Sequence, residues 1–236
     1  MTASAVYTRM QVAMREQPHP ARLRFSQHLE GHGISIHIRE DRFGNTNVVL
    51  VAEAQTAPVT FDVVEDDLAG TERTTDETTQ AVYPDQRLYW TATWNVMHDI
   101  GLRPPAPTTP HPQASVDPSA DALALSDRDY TVELGGDATV DGVPAFHLRL
   151  RARGSRDAHP LTDLFVDSKT FLIRQAVMAF RNEELIAGDS GTFVFDFDRV
   201  GRYWLVTHGR IDASEHGLMT RRSSGYALFT NDEFSF

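Results

Sequence analysis

At 236 residues, 41% hydrophobic and 23% charged, the chain is long enough to bury a sizeable core and has a globular rather than a disordered composition. The formal charge of -11 argues against a nucleic-acid surface, which needs a cationic footprint. The absence of cysteine excludes disulfides, thiolate metal sites and cysteine nucleophiles.

The opening "MTASAVYTRMQVAMREQ" has no basic region followed by an apolar one, so a secretory signal is either lacking or already removed. Val6, Met10, Val12, Ala13 and Met14 recur at near-helical spacing and Pro18 ends the run, which predicts an amphipathic helix from Ala3 to Gln17. In "ARLRFSQHLEGHGISIHIRE", Leu23, Phe25 and Leu29 are followed by a turn at Gly31 and then by Ile34, Ile36 and Ile38. The alternation predicts a β-hairpin. Two further extended runs follow, and the acidic stretch from Asp62 to Glu77 reads as a solvated loop.

From Tyr83 to Ile100, the spacing of Leu88, Trp90, Trp94, Met97 and Ile100 predicts a second helix. The proline-rich stretch at about 102–120 is incompatible with a central strand and reads as a long loop inside one domain spanning 1–236. A strand meander follows over Tyr130–Leu134, Phe146–Arg151, Leu164–Val166, Phe171–Ala179, Phe193–Phe197, Tyr203–Ile211 and Gly217–Phe229. Its turns are expected at "GGD", "DG", "DSK", "GDSG" and "RVG", with bulges or bends at Gly135, Gly136 and Gly209.

In "DGVPAFHLRLRAR", Phe146, Leu148 and Leu150 alternate with His147, Arg149 and Arg151, giving one oily and one cationic face. The oily face either closes on an ordinary core or lines a cavity.

Three constellations could carry chemistry. "AGDSGT" around Ser190 is similar to the nucleophile segment of chymotrypsin-like proteases, but no matching histidine signature accompanies it, and its glycines and aspartate are ordinary turn residues. His28, Glu30 and His32 would share a face of an unbroken strand, near His37, and could approximate a zinc site; Gly31 and Gly33 suggest a break there. Asp196 and Asp198 share a face opposite Phe193, Phe195 and Phe197, as an acid pair or as solvated surface. Trp90, Trp94 and Met97 suit either a packed stripe or a lid over an apolar ligand.

The succession "VDGVPAFHLRLRAR", "LTDLFVDSKTFLIRQAVMAF" and "FVFDFDRVGRYWLVTHGRIDA" resembles the LolA-like lipoprotein-carrier superfamily over the second half of the chain. The resemblance implies a mainly β fold, a strongly curved antiparallel sheet forming a half-open barrel, with an N-terminal helix and a second helix as lid. It also implies non-catalytic binding and carriage of an acyl chain, lipid or lipoprotein in the cell envelope. The alternatives are a protein-binding sensor on the same fold and a hydrolase. On this basis Phe25, Ile36, Trp90, Trp94, Met97, Phe146, Leu148, Leu150, Leu164 and Phe195 are expected to line the cavity. The expected partners are a lipid or acylated protein and an envelope protein, with peripheral membrane contact, a periplasmic location and no cofactor, metal or nucleic acid.

Overall fold

The computed structural model describes residues 1–33, 35–40, 46–51, 59–66, 71–77, 82–84, 100, 130–154, 160–183, 187–217 and 223–236. The chain divides into two compact units. The first is Met1–His19, Thr91–Met178 and Asp196–Leu205; the second is Pro20–Trp90, Ala179–Phe195 and Val206–Phe236.

In the first unit, helix α1 (Ala3–Arg15) starts where the Thr2 hydroxyl accepts the Ala5 N–H. Its buried face is Val6, Tyr7, Met10, Gln11 and Met14, while Val12 points outward. The meander follows as β7 (Tyr130–Val140), β8 (Val143–Ala152), β9 (Leu161–Asp167), β10 (Ile173–Glu183), β11 (Ala187–Val200) and β12 (Tyr203–Gly217), each antiparallel strand beside the next. Asp141 and Gly142 both have positive φ, the requirement of a two-residue hairpin turn between β7 and β8. Gly135 is the extra residue where the β7–β8 register slips between Leu134 and Gly136, so the glycine pair marks a bulge as expected. On β8 and β9, Leu148 faces Leu164 and Phe146 faces Val166. Helix α1 packs on β7 and β8. Its Met14 sulfur accepts the Ile173 N–H, and Leu148, Leu164, Val6, Met10 and Met14 are all fully buried.

In the second unit, β1 (Arg22–His32) lies between β4 (Val59–Asp66) and β13 (Ser223–Ser235); β5 (Thr71–Asp76) and β6 (Val82–Pro84) follow outward from β4, and parts of β12, β11 and β10 follow from β13. A separate two-stranded ladder joins β2 (Ser35–Glu40) and β3 (Thr46–Val51). Among the described residues, β7 in the first unit pairs with β8 alone and β6 in the second with β5 alone, so neither ladder closes on itself there. The mainly β, antiparallel, helix-led architecture is therefore as the sequence implies.

Several local expectations fail for identifiable reasons. The hairpin between the Phe25 and Ile36 runs does not form: β1 continues through Gly31 and His32 and pairs with β4 and β13, because long-range partners supply a ladder on both edges. In the acidic stretch from Asp62 to Glu77, the described residues up to Asp66 and from Thr71 to Asp76 are strand rather than loop. Phe61 and Val63 are buried while Asp62 lies on the opposite face, accepting Arg24 Nε at 2.7 Å, and the threonine-rich β5 extends the ladder. Tyr83 sits in a strand rather than at the start of a helix, and residues 85–99 of the predicted second helix lie outside the described residues. "GDSG" is inside β11, so the glycines here do not turn the chain. The last strand begins at Ser223, not at Gly217.

Candidate functional site

The most distinctive arrangement is a buried layer on one face of the second unit. Strand β1 reads Leu23, Phe25, Gln27, Leu29 in its inward phase, and all four are buried. Across the ladders, Phe25 faces Val63, Gln27 faces both Phe61 and Asn231, and Leu29 faces Phe229. Phe195 adds a ring 6.0 Å from Phe229, tilted by 55°. Phe25 and Phe234 approach at 5.7 Å beside a bulge on β13 that holds Glu233 at φ 50. Gly209 lies opposite Phe229, and a Cβ there would meet the Phe229 ring and the Val194 carbonyl, so only glycine lets these groups sit as they do.

A polar pair occupies the middle of this aromatic face. Gln27 Nε2 donates to Asn231 Oδ1 at 2.9 Å, and Asn231 Nδ2 donates to the Val206 carbonyl at 3.2 Å. Gln27 is 1% exposed, yet its Oε1 accepts no hydrogen bond among the described residues. A buried amide oxygen without a donor costs roughly 1–3 kcal/mol. The opposite face of the same strands is polar: His28 meets the Thr60 hydroxyl and the Asp232 carboxylate, each at 3.0 Å.

The expected cavity residues are distributed over both units. Phe25 and Phe195 belong to this aromatic face. Leu148, Leu150 and Leu164 are buried in the first unit on the face that α1 covers, and Phe146 is half-buried beside them, stacked on Phe171. Trp90, Trp94 and Met97 lie outside the described residues, as does the side chain of Ile36 on β2. Gln27, Asn231, Phe61 and Phe229 were not singled out by the sequence reading. The signal was nevertheless present: Gln27 stands in the apolar phase of Leu23, Phe25 and Leu29, as Asn231 does in that of Ala227 and Phe229.

The other constellations find local partners. Ser190 Oγ lies 3.3 Å from the Ser214 hydroxyl on the neighbouring strand. On an unbroken β1, Glu30 reaches His32 at 3.4 Å and the His32 ring stacks on Tyr226, while His28 is held by Thr60 and Asp232. Asp196 accepts Gln175 Nε2 at 2.7 Å, and Asp198 pairs with Arg174 at 3.7 Å. Trp204 is buried, donating to the Ile173 carbonyl at 2.8 Å, although its phase against Tyr203 and Leu205 predicts an outer position. Both faces of β12 are covered there, so alternation loses its meaning. On the polar side of the first unit, the His147 ring lies between Gly135 and the Phe165 ring, and its Nε2 is 2.7 Å from Asp163.

No protein-family model matches the sequence, and no curated protein matches it. Among solved structures, the chain is similar to a DUF1329 family protein from Desulfovibrio piger at 13% identity and a TM-score of 0.41, covering 100% of this chain and 93% of that one. It is also similar to a LolA superfamily protein from Nitrosomonas europaea, at 10% identity and a TM-score of 0.33, over 100% and 94% of the two chains. A third is the Pseudomonas aeruginosa MucA/MucB complex, at 14% identity and a TM-score of 0.31, over 97% and 93%. The Nitrosomonas protein carries the name of the superfamily that the second half of the sequence resembles. Identities and TM-scores this low carry no chemistry from those proteins to this chain.

Proposed function

We propose that this protein binds an acyl chain, a lipid or the lipid moiety of a lipoprotein without catalysis, and carries it in the cell envelope. The observation that supports this best is the orphaned Gln27 Oε1 inside a face of Phe25, Leu29, Phe61, Phe195 and Phe229. Aromatic and aliphatic side chains accommodate an acyl chain without directional demands, and one or two convergent polar groups fix its polar end. An acceptor that finds no donor among the described residues suits a ligand bearing a hydroxyl or amide N–H next to its chain, because binding would then relieve a cost already present in the free protein. The expected partners are a lipid or an acylated protein, in a periplasmic or other extracytoplasmic setting. The expected membrane contact is peripheral; no helix among the described residues is long and apolar enough to cross a bilayer.

A second reading, a protein-binding sensor, draws on the first unit. There α1 packs on β7 and β8 with Leu148, Leu164, Met10 and Met14 fully buried; the aromatic layer of the second unit is buried to a similar degree, so acyl-chain binding requires that layer to open, which a sensor does not. Native mass spectrometry of the purified full chain separates the two. A co-purifying or added long-chain lipid retained at one per chain supports carriage, and a protein that retains none at saturating lipid moves the choice to the sensor.

A further inference from the structure

The turns Asp141–Gly142, Ser168–Leu172 and Gly201–Arg202 join successive antiparallel strands of the first unit at the same end, and Ser168 N–H donates to the Pro144 carbonyl across two of them at 3.0 Å. Lys169, the only lysine of the chain, is exposed at this end together with Arg199 and Arg202. Arg9 of α1 is also exposed and reaches the same place, its guanidinium 5.2 Å from the Phe171 ring centroid. None of these four cations takes part in an ion pair among the described residues. Of the acids nearby, Asp167 is buried and Asp198 holds Arg174 and the Arg199 N–H, which leaves Asp141 and the exposed Asp137 opposite Phe146 on β7. In a chain of formal charge -11, this is a local reversal of sign.

Phe171 adds an apolar element in an unusual backbone state. Its φ of 61 is the left-handed region that a bulky side chain rarely occupies, and strain of this kind persists only where the surroundings enforce it. Here they do. The Asp167 carboxylate accepts the Lys169 and Thr170 N–H groups at 2.8 and 3.0 Å, and the Phe171 N–H donates to the Asp167 carbonyl at 3.0 Å. The turn thus holds a half-exposed phenyl ring between Phe146 and Arg9, one residue beyond the exposed Thr170 and two beyond Lys169.

We propose that this end of the first unit docks on the surface of an anionic phospholipid bilayer, with Lys169, Arg9, Arg199 and Arg202 against lipid phosphates and Phe171 at the headgroup boundary. Cations without ion-pair partners at one end of the first unit draw that end toward an anionic surface; the Arg202 guanidinium lies on the Tyr203 ring and donates to its hydroxyl at 2.8 Å but keeps its charge. Arginine and lysine stems and an aromatic ring suit the interface, where apolar parts leave water while charges stay at the phosphates. The surface is independent of acyl-chain binding in the second unit, so either proposal can fail alone.

The test is flotation of the full chain with phosphatidylcholine vesicles, with and without phosphatidylglycerol, at low and raised salt. Binding is expected only to the phosphatidylglycerol vesicles. It should fall as salt rises and drop at least about tenfold in Lys169→Glu/Arg202→Glu, given the attraction of each cation near an anionic surface. Phe171→Gly, which also releases the backbone strain, should keep its fold by circular dichroism and bind more weakly than wild type. Absence of binding to either vesicle overturns the proposal, as does a charge-reversed double variant that floats like wild type. So does wild-type binding to an acidic peptide, abolished by the same charge reversal, with no binding to vesicles, which would make the partner a protein.

Discussion

Gln27 and Asn231 face each other across β1 and β13, joined by a single hydrogen bond of 2.9 Å that leaves Gln27 Oε1 without a donor in a layer of phenylalanines. The pair has a thermodynamic signature. Asn231→Leu strips Gln27 of its one partner and should cost about 1–3 kcal/mol. The double variant Gln27→Leu/Asn231→Leu removes the stranded amide altogether and should recover most of that loss. Urea unfolding of Asn231→Leu, Gln27→Leu and the double variant measures it, and strict additivity of the two single substitutions would show that the pair is not the coupled unit described.

Gly209→Ala places a methyl group where the Phe229 ring and the Val194 carbonyl now lie. Overpacking of this kind costs roughly 1–3 kcal/mol. The companion Gly209→Ala/Phe229→Leu, with a smaller facing side chain, should be more stable than Gly209→Ala alone. Thermal denaturation of the two variants reads the difference directly, and equal stability would remove the close approach from the account.

Much of the strand order was legible in the sequence, and the reason is physical. From Tyr130 onward, alternation, the Asp141–Gly142 turn and the "DSK" turn are local signals, and the structure joins each strand to the next in the chain. The first half obeys non-local rules. Strand β1 looks like one arm of a hairpin because Ile36 follows it at the right distance, but its ladders are with Val59–Asp66 and with the end of the chain, which no nearby residue signals. The site divides in the same way. Phe25 and Phe195 could be chosen as large apolar residues in the correct phase, whereas Gln27 and Asn231 become a pair only through a contact spanning 204 residues.

The Asp167 carboxylate is buried, which by itself would raise its pKa. The Thr170 and Lys169 backbone donors, with Arg174 nearby, outweigh burial and hold it below the ordinary carboxylate value. A depressed folded-state pKa means that the unfolded chain binds the proton more readily. The contribution to stability is therefore complete above the ordinary carboxylate range, about pH 4, and is lost as pH falls through the lower folded-state value. Asp167→Asn should be less stable than wild type at neutral pH by about 1 kcal/mol and should lose less stability on acidification. Parallel acid limbs for the two proteins in denaturant titrations would contradict this.

Ser190 is held by Ser214 on the adjacent strand, at 3.3 Å, in the interior of β11. Ser190→Ala should leave lipid retention unchanged and alter stability by no more than about 1 kcal/mol, the size of one ordinary hydrogen bond. Any esterase or protease activity of the wild type that disappears in this variant would restore the hydrolase alternative.

The central claim is that an acyl chain lies against the aromatic face of the second unit, and photo-crosslinking tests it most directly. A long-chain N-acyl amide bearing a diazirine in its chain, irradiated with the full chain and mapped by peptide mass spectrometry, should give saturable crosslinks. These should fall on peptides carrying Leu23–Leu29, Phe61–Val63 and Ala227–Asn231, and the unlabelled amide should compete them away. Crosslinks confined to other peptides, or labelling that neither saturates nor yields to competitor, would contradict it.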